Sequence, residues 1–129
     1  MKKIIATPNA PAAIGPYSQA VEINGTLYLS GQIPINPQSG KIEENDIVGQ
    51  THQVFKNIIA ILEAAGYTID DIVSNRVYLT DINDFAKMNE VYKQYFVNNF
   101  PSRAAFAVKD LPLSSLIEIE TVAVRSTTI

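Results

Sequence analysis

The sequence predicts a single α/β domain of the α+β type, with one mixed sheet and two helices on one of its faces. Three observations predict it. Two segments carry apolar residues at helical spacing, Ile47 to Ala65 and Asp84 to Val97. Five segments are rich in β-branched or small apolar residues and bounded by turn formers. Their order is strand, strand, helix, strand, helix, strand, strand, with a short extra strand near Lys3. At 129 residues the chain is one domain's worth, taken here as 1–129.

The first two strands are the clearest local signal. Asn24-Gly25 separates Gln19-Ala20-Val21-Glu22-Ile23 from Thr26-Leu27-Tyr28-Leu29-Ser30. Asn-Gly accepts the positive φ angles of a two-residue type I′ turn, so the segment predicts a hairpin. Gln32 to Asn45 holds Pro34, Pro37 and Gly40 and reads as a loop. Along the first helix Ile47, Thr51, Val54, Phe55, Ile58, Ile59, Leu62 and Ala65 share a face; Asp46 caps its start and Gly66 its end. Ile72 to Thr80 is a β-branched strand. In the second helix Phe85, Met88, Val91, Tyr92, Tyr95 and Phe96 form a stripe read as core rather than as a stacking platform, with Asn83 or Asp81 as cap. Pro101 breaks the chain, and the strands around Arg103 and Glu118 follow, separated by a Leu111-Pro112 turn.

Two helices cover only one face of such a sheet. The other face keeps Val122 and Val124, and an apolar face is usually buried against something, so a homo-oligomer with packed sheets is expected.

Composition narrows the function. Apolar residues are 47% and charged residues 18%, which describes a globular chain rather than a disordered one. A net charge of −3 without a basic stripe argues against nucleic acid. With no cysteine there is no disulfide, thiol nucleophile or thiolate metal site. Met1-Lys2-Lys3-Ile4-Ile5 starts no long apolar stretch, so neither a signal peptide nor a membrane span is expected, and a cytoplasmic location is.

The chemistry-bearing residues cluster late in the chain. Arg103 lies in a run of small and apolar residues and keeps its charge wherever it is sheltered, so it needs an anion. In Leu116-Ile117-Glu118-Ile119-Glu120-Thr121-Val122, period two puts Glu118 and Glu120 on one face. Read as adjoining strands, these leave two alternatives: an ion pair, or a site for a small anionic substrate. His52, the only histidine, falls on the polar face of the first helix with Lys56 and Glu63 and reads as solvated.

Five pieces in order carry a resemblance: Ala10-Pro11-Ala12-Ala13-Ile14-Gly15-Pro16-Tyr17-Ser18-Gln19-Ala20, Leu29-Ser30-Gly31-Gln32-Ile33-Pro34, Asn83-Asp84-Phe85 with Asn89-Glu90-Val91-Tyr92, Pro101-Ser102-Arg103, and Ile117-Glu118-Ile119-Glu120 with Ala123-Val124-Arg125. Together they resemble the RidA/YjgF family of reactive-intermediate deaminases over nearly the whole chain. The resemblance implies a chorismate-mutase-like fold, a homotrimer with a site in each cleft between subunits, and hydrolysis of 2-imino acids (2-iminobutanoate, 2-iminopropanoate) to 2-keto acids and ammonia. Neither cofactor nor metal is implied.

It implies that Arg103 anchors the substrate carboxylate and that Glu118 activates water. Tyr17, Ser30, Gly31, Asn89 and the backbone of Ala105 would complete the pocket, Gly31 by letting a backbone N–H approach closely. Many members of the deaminase branch carry cysteine where this chain has Ala105. The alternative function is a non-catalytic trimer that binds a small carboxylate metabolite and regulates a partner protein.

Overall fold

The computed structural model describes residues 1–125. Among the described residues eight strands and two α-helices form in the order β1 (Lys3–Ile5), β2 (Ala20–Ile23), β3 (Thr26–Gln32), β4 (Ile35–Asn36), β5 (Lys41–Ile42), α1 (Ile47–Ala65), β6 (Ile72–Leu79), α2 (Phe85–Tyr92), β7 (Ser102–Ala107) and β8 (Ile117–Val124). Six strands make one sheet in the order β1-β2-β3-β8-β6-β7. Its pairs are antiparallel except β6 with β7, which are joined through α2 and run parallel. The expected mixed sheet with two helices on one face is the architecture found.

Local chemistry explains most of the elements. Asn24 and Gly25 take φ values of 50° and 79°, the left-handed pair that the β2–β3 hairpin requires. Asp46 accepts the backbone N–H of Gly49 and starts α1, and Gly66 at φ 81° ends it. From β3, β8 and β6 the side chains of Leu27, Leu29, Ile117, Ile119, Ala123, Val77 and Leu79 fill the core beneath α1, where Val54, Phe55, Ile58, Ile61 and Leu62 meet them. No helix among the described residues is long and apolar enough to cross a membrane.

Several expectations need correction. The segment read as a loop from Gln32 to Asn45 holds the small β4–β5 hairpin. Buried Asn57 of α1 steadies it by donating to the carbonyls of Ile33 and Ile35, a long-range effect with no local signal. The second helix is shorter than its apolar stripe: Ile82–Asp84 is a 3₁₀ turn, with Asp81 accepting the N–H of Asn83, and Lys93–Tyr95 is another. The aromatic residues still pack there, Phe55 stacking on Tyr95 at 4.3 Å between ring centroids. His52 is not fully solvated; its Nδ1 lies 2.7 Å from the Tyr95 hydroxyl.

The face away from the helices is open. Ile4, Ile23, Tyr28, Phe106 and Val124 lie exposed on it, and Val122 is half-buried.

Candidate active site

Arg103 sits on the edge strand β7, level with Asn75 of β6, and its side chain leaves the sheet on the helix-covered side. There α2 receives it. Phe85, Asn89 and Tyr92 stand on one stripe of that helix, at i, i+4 and i+7. Arg103 Nη1 donates to Asn89 Oδ1 at 2.6 Å, and the guanidinium carbon lies 4.8 Å from the Tyr92 ring centroid and 5.3 Å from that of Phe85. The second-helix aromatics therefore do serve as a platform, a role the stripe alone did not reveal, because Tyr92 is also 97% withdrawn from solvent in the core (3% exposed). Phe100, Pro101 and Lys93 complete a 440 Å³ cleft around this arginine.

Among the described residues no carboxylate lies within ion-pair distance of Arg103. The reading of Arg103 and the glutamates as neighbours on adjoining strands is corrected by the strand order. β6 lies between β7 and β8, and Glu118 and Glu120 face the open side, opposite to Arg103. A non-local strand order of this kind is not written in any single segment.

Glu118 has its own seat. A bulge in β3, between Leu29 and Gln32, carries Ser30 and Gly31 past β8. A side chain at Gly31 would overlap the Glu118 carboxylate, so the missing Cβ makes room for that group. Room for that carboxylate is what Gly31 contributes to the chain's own geometry. Burial, and then the neighbouring charge of Glu120, hold the Glu118 carboxyl above the usual carboxylate range. Tyr78 donates its hydroxyl to Glu120 Oε1 at 3.0 Å.

The remaining residues named from the sequence gather near this second cluster, with one exception. Tyr17 is half-exposed and shares a 340 Å³ cavity with Gly31, Ile33 and Leu113. Its hydroxyl accepts the N–H of Ile14 at 3.3 Å, which leaves its own proton free to be donated. Ser30 Oγ donates to the carbonyl of Ser18 at 2.6 Å. Buried Gln19, unnoticed in the sequence because it is polar, pins the loop that carries Tyr17 through bonds to Thr7, Ala10 and Pro11. Ala105 belongs with Arg103 instead: it lies two residues along β7, on the same face and level with Val77. One chain thus carries two separate clusters, Arg103–Asn89 on the helix-covered face and Glu118–Gly31 on the open one, with Tyr17 lining a cavity beside Gly31.

A family model described as Endoribonuclease L-PSP matches residues 7–125. The chain is similar to a RutC family protein of Pyrococcus horikoshii, 54% identical over 97% of this chain and 99% of that one. It is similar to the human protein named 2-iminobutanoate/2-iminopropanoate deaminase, 49% identical over 97% of this chain and 91% of that one. Among solved structures, that of Escherichia coli TdcF with bound serine superposes with a TM-score of 0.92 at 46% identity, covering 96% of this chain and 99% of the other.

Proposed function

This chain belongs to the RidA/YjgF family, and from that premise we propose that it hydrolyses 2-imino acids such as 2-iminobutanoate and 2-iminopropanoate to 2-keto acids and ammonia. The observation that carries the proposal is the Arg103 guanidinium, held by Asn89 and two aromatic rings yet without a carboxylate partner among the described residues. A fork of N–H donors prepared in this way suits a carboxylate.

The reaction uses few groups. The substrate carboxylate pairs with Arg103 and fixes the imine carbon. The substrate reacts as its protonated iminium: Glu118 takes a proton from water as the new C–O bond forms, giving a neutral carbinolamine. Glu118 then passes that proton to the nitrogen; as the C–N bond breaks the hydroxyl returns its proton to Glu118, ammonia leaves, the keto acid forms, and Glu118 releases the proton to solvent. A carboxyl held above its usual range suits a group that must both take and give a proton. Tyr17 and Ser30 offer hydroxyls, and Gly31 and Ala105 backbone groups, to the bound acid.

Because Arg103 and Glu118 face opposite sides of one sheet, the proposed site takes them from two copies of the chain. The open apolar face supports a homotrimer with a site in each cleft, since head-to-tail contacts close into rings. A second reading, a trimer that binds a small carboxylate metabolite and regulates a partner, draws on the serine in the E. coli relative. An RNA-directed activity, which the family description suggests, draws no support from a net charge of −3.

A dehydratase acting on threonine, with semicarbazide trapping the released imine, tests the enzyme reading. Suppressed trapping with faster keto-acid appearance is the expected result. Unchanged trapping beside a properly assembled protein favours metabolite binding instead.

A further inference from the structure

Thr121, Asn75 and Arg103 form a row across three strands. Register sets Thr121 of β8 beside Asn75 of β6, and Asn75 beside Arg103 of β7, so all three side chains rise on the helix-covered face. Two of them are polar groups deep in an apolar layer, Thr121 at 0% and Asn75 at 1% exposure. Thr121 Oγ1 donates to Asn75 Oδ1 at 2.7 Å, and Asn75 Nδ2 donates to the Tyr92 hydroxyl oxygen at 3.0 Å. The ring that ends this chain of bonds is the one under the Arg103 guanidinium.

A satisfied pair of buried polar side chains adds little net stability over an apolar pair of the same shape. What it adds is direction. The bond from Asn75 fixes where the Tyr92 oxygen lies and so fixes the tilt of the ring face. Asn89 meets the guanidinium from the same stripe of α2 and takes one Nη1 proton. The other N–H groups stay available to a ligand.

We propose that Tyr92, oriented through Asn75 and Thr121, is a positioning residue for Arg103, aiming its free N–H edge at the substrate carboxylate. In its consequence for turnover the inference rests on the imine-hydrolase reading; in its geometry it does not.

Two variants separate positioning from mere packing. Tyr92→Leu removes the ring face, and Tyr92→Phe keeps the face but removes the oxygen that Asn75 holds. For Tyr92→Leu the expected result is a KM raised about tenfold with kcat nearly unchanged, and for Tyr92→Phe a rise of about threefold. A packing role alone would lower stability or kcat at an unchanged KM. Without any substrate, the side-chain Nε–H resonance of ¹⁵N-labelled Arg103, identified by its loss in Arg103→Lys, reports the geometry directly. It is expected at a ring-shielded position in the native protein, displaced toward an ordinary arginine in Tyr92→Leu and part of the way in Tyr92→Phe. An Arg103 resonance and a KM that neither variant moves would overturn the proposal, and Tyr92→Phe alone decides it if Tyr92→Leu does not fold. A native protein that hydrolyses no imine would overturn the enzyme reading, and the resonance would then decide the positioning role by itself.

Discussion

Arg103 and Glu118 leave opposite faces of the same sheet, with β6 standing between their strands. A side chain cannot pass through a hydrogen-bonded sheet, so the guanidinium and the carboxyl of one chain do not meet at one substrate. Each has a prepared seat, Arg103 on α2 and Glu118 over Gly31. Two copies can join what one copy separates.

Arg103→Ala is expected to lower kcat/KM by about 10- to 100-fold, the worth of a hydrogen bond to a charged group, with the fold retained because the residue lies exposed on an edge strand. Arg103→Lys keeps the charge but loses the planar fork and the stacking, so it should recover only part of the loss. Steady-state kinetics on both variants, with circular dichroism as the control for folding, makes the check.

Gly31→Ala should leave the fold intact and displace the Glu118 carboxylate, which the new methyl would overlap. The expected loss is about 100-fold in kcat, in the range of a displaced general acid–base group. Binding of the keto acid 2-oxobutanoate, measured by calorimetry, should change far less, because Arg103 is untouched.

Glu118→Gln should stabilise the protein at neutral pH while removing activity. Burial and Glu120 raise the Glu118 carboxyl, so folding favours its protonated form. Whatever stability this group contributes is complete at pH below its unfolded value and is lost as pH rises through the folded one. The amide never ionises and escapes that loss. Thermal melts should show a higher Tm for the variant at pH 7 to 8, with the advantage fading toward about pH 4, where the unfolded-state carboxyl is protonated. An advantage that grew toward acid pH would contradict the assignment.

Asp46→Ala removes the side chain that accepts the Gly49 N–H at 2.8 Å and starts α1. A destabilisation of about 1 kcal/mol is expected by chemical denaturation, with kcat/KM unaffected.

The parts of the fold legible in the sequence are those decided locally. Asn24-Gly25 fixes its hairpin, and Asp46 and Gly66 bound α1, because each needs only its neighbours. The apolar period runs past the end of α2 because Tyr95 and Phe96 continue it; they pack on Phe55 of α1 after the helix has tightened at Lys93. Gln19, Asn57, Asn75 and Thr121 look like surface residues in sequence, yet each is buried and bonded, and Asn57 holds the small β4–β5 hairpin through the carbonyls of Ile33 and Ile35. Of the candidate site, the residue types were legible through the family's motifs. The seat of Arg103 was not: it depends on Asn75 and Tyr92 meeting across β6 and α2, and on β8 inserting between β3 and β6.

If Arg103 of one copy and Glu118 of another serve one imine-hydrolysing site, subunit complementation restores activity. Arg103→Ala and Glu118→Gln proteins, each impaired at least about tenfold alone, are mixed in equal amounts, unfolded and refolded together, and assayed by semicarbazide competition. Sites shared between copies predict recovery of about a quarter of native activity, the share of clefts that receive an intact residue from each neighbour in a randomly mixed ring. Mixtures that assemble as the native protein does and remain as inactive as their parents would contradict it.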